Sequence, residues 1–480
     1  MYKSKPISIL KTFTNKELKK LGEYIASPFF NKNQAVIDLF LLLKKYHPDY
    51  EGIGLQREKV FRKLFGKSKY EEQKLRYLMS DLTKLMEGFL IHEHFTQNQH
   101  SCAHSLLEIY TQRKLEKYFQ TTLQNYQNQL DNNAIKNIKH YLNAYQIDEA
   151  KFIFHSSLSN RPNGTDIKGI LDNLDIFYIA NKLKYSSELY NAQNILSLDF
   201  DTPLLLNEIR QKFEAEDHLH QEPVIAIYHQ ILLTLLERET IQHYDQLILL
   251  LEQYAEHFEH SELQDMYIFA RNYCYRRYMG GDREYLRKSF ELHEILLENN
   301  VLLFDGQISQ WDFKNIVSVG LVFGKNDFVE KFIFDYKKYL KPSVRENAFT
   351  YNLAYLRFYQ KDYDSAIRLL HNVEFTDPYY HIDTKVLLMR CYYELEEVIP
   401  LFNLIDTIRA YIRRNKQISK GNKNNYLNFF KFVKKLVRIK MGSKKTIEDL
   451  KEEIDQTPNF DGSSWLYEKI KELELNPKRW

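Results

Sequence analysis

The stretch Lys361–Pro378, KDYDSAIRLLHNVEFTDP, decides the fold. Just before it, Phe349, Leu353 and Leu356 recur at helical spacing, with Tyr351, Tyr355 and Phe358 widening the apolar face. Ser343 reads as the N-cap of that helix, which runs to about Gln360. Lys361 and Asp362 read as a short turn. Tyr363, Ala366, Ile367, Leu370 and Val373 then share one face of a second helix, and Pro378 stops it. A short turn between two helices forces an antiparallel pair. Ala366 is small enough to let the two backbones approach, with Tyr363 wedged between them. One such pair cannot bury both of its faces, so it needs neighbours.

Weaker echoes of the pair lie on both sides. Phe328 stands 35 residues before Tyr363, and Val398 stands 35 after it. Tyr285 and Tyr244 continue the series upstream at looser spacing, and Pro342 and Pro378 are 36 apart. The segment NLAYLRFYQKDYDSAIRLL, with its closing Pro378, resembles a tetratricopeptide repeat. Asn352, Leu353 and Ala354 in the first helix carry the resemblance, with Asp362 and Tyr363 at the turn and Ala366 and Ile367 in the second helix. It departs from the pattern at Thr350, at Arg357 (where an aromatic is usual) and at Lys361 (where glycine is usual). The resemblance implies an irregular superhelical array of helical hairpins, with room for roughly eight to ten pairs over 101–480. It also implies a concave face that holds peptide segments of partner proteins.

Composition agrees with an all-α chain. The 480 residues include only 15 Gly and 11 Pro, so chain reversals are few and elements are long. No Asn-Gly or Asp-Gly turn joins two alternating runs. The patterns TNKE (from Thr14), SKYE (from Ser68), SVRE (from Ser343) and TIED (from Thr446) read as capping boxes. Cys102, Cys274 and Cys391 are far apart and form no CxxC pair, which fits a reducing compartment. The apolar run Ile7–Leu10 is too short for a signal-peptide core, and no stretch approaches a membrane span. A cytoplasmic location is expected, with no membrane partner.

Charge divides the chain into three expected regions. Residues 1–100 are a basic helical module of net charge +7, and 101–408 an acidic repeat array of −13. Residues 409–480 hold a basic helical segment and a capping helix built on Trp465 and Leu466. Within it, 409–447 carries 13 basic side chains and no acidic one. Arg413, Arg414, Lys416 and Lys420, then Lys431, Lys434, Lys435 and Arg438, are the candidate contacts for an anionic partner. The second group lies at i, i+3, i+4 and i+7, one stripe of a helix. Nucleic acid, an acidic protein segment, or the acidic middle of the same chain would each relieve its repulsion.

The first hundred residues add two further readings. In SPFFNKN, Phe29 and Phe30 pack a turn and Asn31 or Asn33 caps the next helix. LQREKVFRKLFG and the longer helix after it have the cadence of a helix-turn-helix, with Lys74, Arg76 and Lys84 on the second member. That resemblance implies contact with DNA.

Motifs of catalysis are absent from the sequence. It holds no GxxxxGK, GxGxxG, HExxH or GxSxG, and no cofactor is expected. One cluster has metal-like chemistry: His92, His94, His100 and His104, with His100 and His104 four apart on a helix face. The leading expectation is a non-catalytic adaptor that binds a protein or peptide partner. The alternative is a nucleic-acid-associated regulator using the N-terminal helix pair and residues 409–445.

Overall fold

Lys361 adopts the left-handed backbone conformation, with φ of 64°. Its N–H bonds to the carbonyl of Phe358, and the N–H of Asp362 reaches back to Arg357. These two bonds satisfy carbonyls that a helix end leaves open. The same turn recurs. Lys114, Gly324 and Glu396 also have positive φ, at 54°, 66° and 61°. Each donates to the carbonyl three residues back, and the next residue donates to the carbonyl five residues behind it. In all four cases the next helix begins two residues after the left-handed one.

The computed structural model describes residues 4–158, 164–196, 200–279, 282–299, 301–303, 306–443, 446–457, 460 and 462–475. They are helical almost throughout; their one β feature is an isolated bridge between Ile308 and Leu340. The chain divides into two compact units, one of residues 1–133 and 138–177, the other of 134–137 and 178–480.

The first unit begins with α1 (Lys5–Leu10), α2 (Asn15–Ala26), α3 (Gln34–Lys44), α4 (Arg57–Phe65) and α5 (Glu72–Gln97). These close around Leu21, Phe40, Phe61 and Met86, all fully buried. Next come α6 (Gln99–Gln112), α7 (Glu116–Asp131) and α8 (Ile138–Leu158); stacked Phe119 and Phe154, with ring centroids 3.8 Å apart, join α7 to α8. The long α9 (Gly164–Leu196) runs from the first unit into the second.

The second unit contains α10 (Leu206–Ala215), α11 (Asp217–His220), α12 (Pro223–Leu236), α13 (Gln242–Gln253), α14 (His260–Met279), α15 (Glu284–Glu298), α16 (Gln310–Val322) and α17 (Asn326–Tyr336). It continues with α18 (Arg345–Tyr359), α19 (Tyr363–His371), α20 (Pro378–Glu394), α21 (Val398–Arg414), α22 (Lys420–Lys440), α23 (Ile447–Asp455) and α24 (Ser463–Leu475). From α12 to α21 each helix packs on the next, forming five successive hairpins. First helices of neighbouring hairpins also pack together, α12 on α14, α16 on α18 and α18 on α20. This is a helical-repeat arrangement. At its best-formed pair, Ala354 of α18 and Ala366 of α19 are both fully buried.

Several local expectations change. Tyr363 opens α19, and its counterparts are Asn326 and Val398, so the upstream spacing is 37 rather than 35 residues. Val344, not Ser343, is the N-cap of α18. Pro378 does not stop α19, which ends at His371; it opens α20, where Asp377 caps two backbone N–H groups. Thr14 with Glu17 and Thr446 with Asp449 form true capping boxes. Ser68 instead donates to the Phe65 carbonyl and caps nothing. Asn33 caps α3, as read, and Phe30 stacks on Tyr24 at 4.1 Å. Phe29, expected to pack, is 88% exposed. No described helix is long and apolar enough to cross a membrane.

Candidate binding cleft

The second unit carries a cleft of about 680 Å³. The first helices of successive hairpins supply most of its lining. Arg271, Asn272, Tyr275 and Tyr278 come from α14, and Trp311, Lys314, Asn315 and Ser318 from α16. Tyr355 of α18 follows, then Tyr379, Asp383, Val386 and Arg390 of α20 and Tyr426 of α22. These positions recur at three- and four-residue steps, so each helix presents one face to the cleft.

Two ion pairs cross between helices in the cleft wall. Arg271 of α14 pairs with Asp312 of α16, and Lys314 of α16 with Asp383 of α20. The Lys314 ammonium also lies 5.0 Å from the Trp311 ring centroid and 5.1 Å from that of Tyr380. The Tyr380 hydroxyl donates to the Gln310 carbonyl at 3.1 Å. α16 and α20 are therefore fastened to each other, which fixes the width of the cleft at its middle.

His293 and Arg390, both in the lining, each carry a buried polar atom without a hydrogen-bond partner. His293 of α15 is buried, and its Nδ1 lies 2.6 Å from the Ser289 carbonyl oxygen. A carbonyl only accepts, so Nδ1 carries the proton and Nε2 is a bare acceptor; no group bonds to it. Burial, with help from Arg271, pushes its pKa down to about 4, so the ring stays neutral. Arg390 stands 5.3 Å from the Trp465 ring, and its Nε–H has no acceptor. Among the described residues no carboxylate pairs with it. Cys274, also in the lining, is held as a thiol, its pKa raised to about 11 by burial.

The basic stripe read from the sequence lies outside the cleft. Lys434 pairs with Asp406 at 2.6 Å, and Lys431 and Lys435 both reach Glu453. Arg413, Arg414, Lys416, Lys420 and Arg438 are exposed, with no carboxylate partner among the described residues. Lys444 and Lys445 of the same block lie outside the described residues.

The four histidines do not converge. His100 has both ring nitrogens engaged, by the Tyr126 hydroxyl at 2.5 Å and the Gln146 carbonyl oxygen at 2.7 Å. His104 turns toward Glu108, His92 lies near the Tyr24 and Phe30 rings, and His94 is exposed. Among the described residues no group of three or more His, Cys, Asp or Glu side chains could hold a metal ion. In the N-terminal helix pair, Arg76 joins Glu72 at 3.0 Å and Lys74 covers the Phe65 ring, leaving Lys84 exposed.

Sequence reasoning missed the cleft. The available signal was a helix face mixing aromatic and charged residues, as Tyr379, Asp383, Val386 and Arg390 do on α20. A purely packing face would be apolar throughout. Compared with known proteins, the chain matches no family model, no curated protein and no solved structure.

Proposed function

We propose that the chain is a non-catalytic adaptor of the cytoplasm whose second unit, a tetratricopeptide-like array, holds a short segment of a partner protein in the cleft. The recurring left-handed turns before α17, α19 and α21 support the repeat identity. The cleft's lining carries the functional reading: aromatic rings interleaved with amide and hydroxyl groups across four first helices. Rings bind side chains through apolar area, while Asn and Ser side chains bond the backbone of an extended peptide. Size favours an extended ligand. A helix is about 10–12 Å across, too thick for more than a turn or two in this volume.

Peptide display on the full-length chain tests the reading. Random heptapeptides should be enriched, and their binding should vanish when Asn315→Trp fills the cleft. No enrichment, or binding indifferent to Asn315→Trp, would sink it.

A second reading rests on a different observation. Arg413, Arg414, Lys416 and Lys420 form an exposed cationic surface at the α21–α22 connection, free of carboxylates among the described residues. Such a surface suits the phosphates of nucleic acid. Binding to generic DNA or RNA that falls steeply with salt, and is lost on reversing these four charges, would favour it.

A further inference from the structure

We infer that the cleft selects a peptide carrying an acidic side chain, received by Arg390. The inference rests on the adaptor reading and adds the chemistry of the ligand. Three cations line the cleft: Arg271, Lys314 and Arg390. The first two are neutralised by Asp312 and Asp383. Asp383, itself in the lining, is thereby committed. Arg390 stands beside the Trp465 ring and is partly buried, with an orphaned Nε–H and no carboxylate partner among the described residues.

Arg390 has no counter-charge among the described residues, and an incoming carboxylate would supply one through charge-assisted hydrogen bonds. The Trp465 ring, 5.3 Å from the guanidinium carbon, provides no counter-charge, and a guanidinium suits the planar, two-point contact that carboxylates make. His293 supplies an independent indication. Its bare Nε2 is a buried acceptor in the lining, and an extended chain brings N–H donors. A peptide with one acidic residue answers both groups.

The test uses random heptapeptides fused at their C-termini to a display coat protein, so that side chains are the only carboxylates presented. Selection on the full-length wild type should enrich Asp or Glu at one fixed position. Replacing that residue by Asn or Gln in the synthetic peptide should weaken binding roughly 10- to 100-fold, a comparison that needs no change to the protein. Selection on Arg390→Glu should replace the acid with Lys or Arg at the same position. Enriched peptides with no acidic position, or an amide substitution without effect, would overturn the inference and leave the adaptor reading standing. No enrichment at all would overturn both.

Discussion

Lys434 of α22 and Asp406 of α21 form an ion pair of 2.6 Å, with the lysine ammonium 5.3 Å from the Phe402 ring centroid. A residue that reads as part of a cationic surface thus fastens two neighbouring helices. Lys434→Glu sets like charges together and removes the ring contact, at a cost of about 1–2 kcal/mol. Arg413→Glu, on an exposed arginine, should shift stability by no more than about 0.5 kcal/mol. Urea unfolding of the two variants separates the roles. Equal midpoints would show that the Lys434 pair contributes nothing.

The left-handed turns make a prediction of opposite sign. Lys361 and Glu396 occupy a conformation that costs a residue with a Cβ about 1–2 kcal/mol, whereas Gly324 occupies its own turn without that cost. Part of the gain is returned as chain entropy. Lys361→Gly and Glu396→Gly should each stabilise the chain by roughly 0.5–1 kcal/mol, and the two gains should add. A raised thermal midpoint in each variant is the expected result. A lowered one would show that the side chains outweigh the backbone strain.

The same turns explain how much of the fold was legible. Helical periodicity and the scarcity of Gly and Pro suffice for an all-α chain, and the Ala354–Ala366 pair marks its best hairpin. The α6–α7 and α20–α21 hairpins are obscured because Lys114 and Glu396 stand where glycine would announce the turn. The spacing of Phe328 and Tyr363 misleads because both are aromatic and near a helix start, but only Tyr363 is the first residue of its helix. The basic stripe shows as charge in sequence, but its partners Asp406 and Glu453 come from other helices. The cleft was least legible. It exists where faces of α14, α15, α16, α18, α20 and α22 meet, and no local pattern encodes that meeting.

Gly320 of α16 leaves no room for a side chain beside α17. A Cβ there would stand 2.6 Å from Val329 Cγ2 and 3.3 Å from the Phe290 ring. Alanine favours a helix by about 1 kcal/mol over glycine, but overpacking costs roughly 1–3 kcal/mol. Gly320→Ala should therefore destabilise by about 1 kcal/mol. Val329→Ala opens the space and should make the second change less harmful than the two single changes imply. Strictly additive effects in this double-mutant cycle would place the conflict elsewhere.

Acid should weaken the second unit through two buried histidines. His229 stacks on Phe213 at 3.9 Å, and its pKa is pushed down to about 4 by burial, then by Arg210, His220 and His243, with Glu237 opposing. His293 is held equally low by burial and Arg271, against the Ser289 carbonyl and Asp312. A histidine of the unfolded chain titrates near 6.5. The folded state thus binds fewer protons between these values. The stabilisation is complete above pH 6.5 and is lost as pH falls toward about 4. Between pH 7.5 and 5 each histidine should forfeit roughly 2 kcal/mol. Urea midpoints at the two pH values measure the loss in the wild type, and His229→Gln with His293→Gln should shrink it while leaving the rest of the acid response. A variant that weakens as steeply as the wild type would show that protonation elsewhere drives the transition.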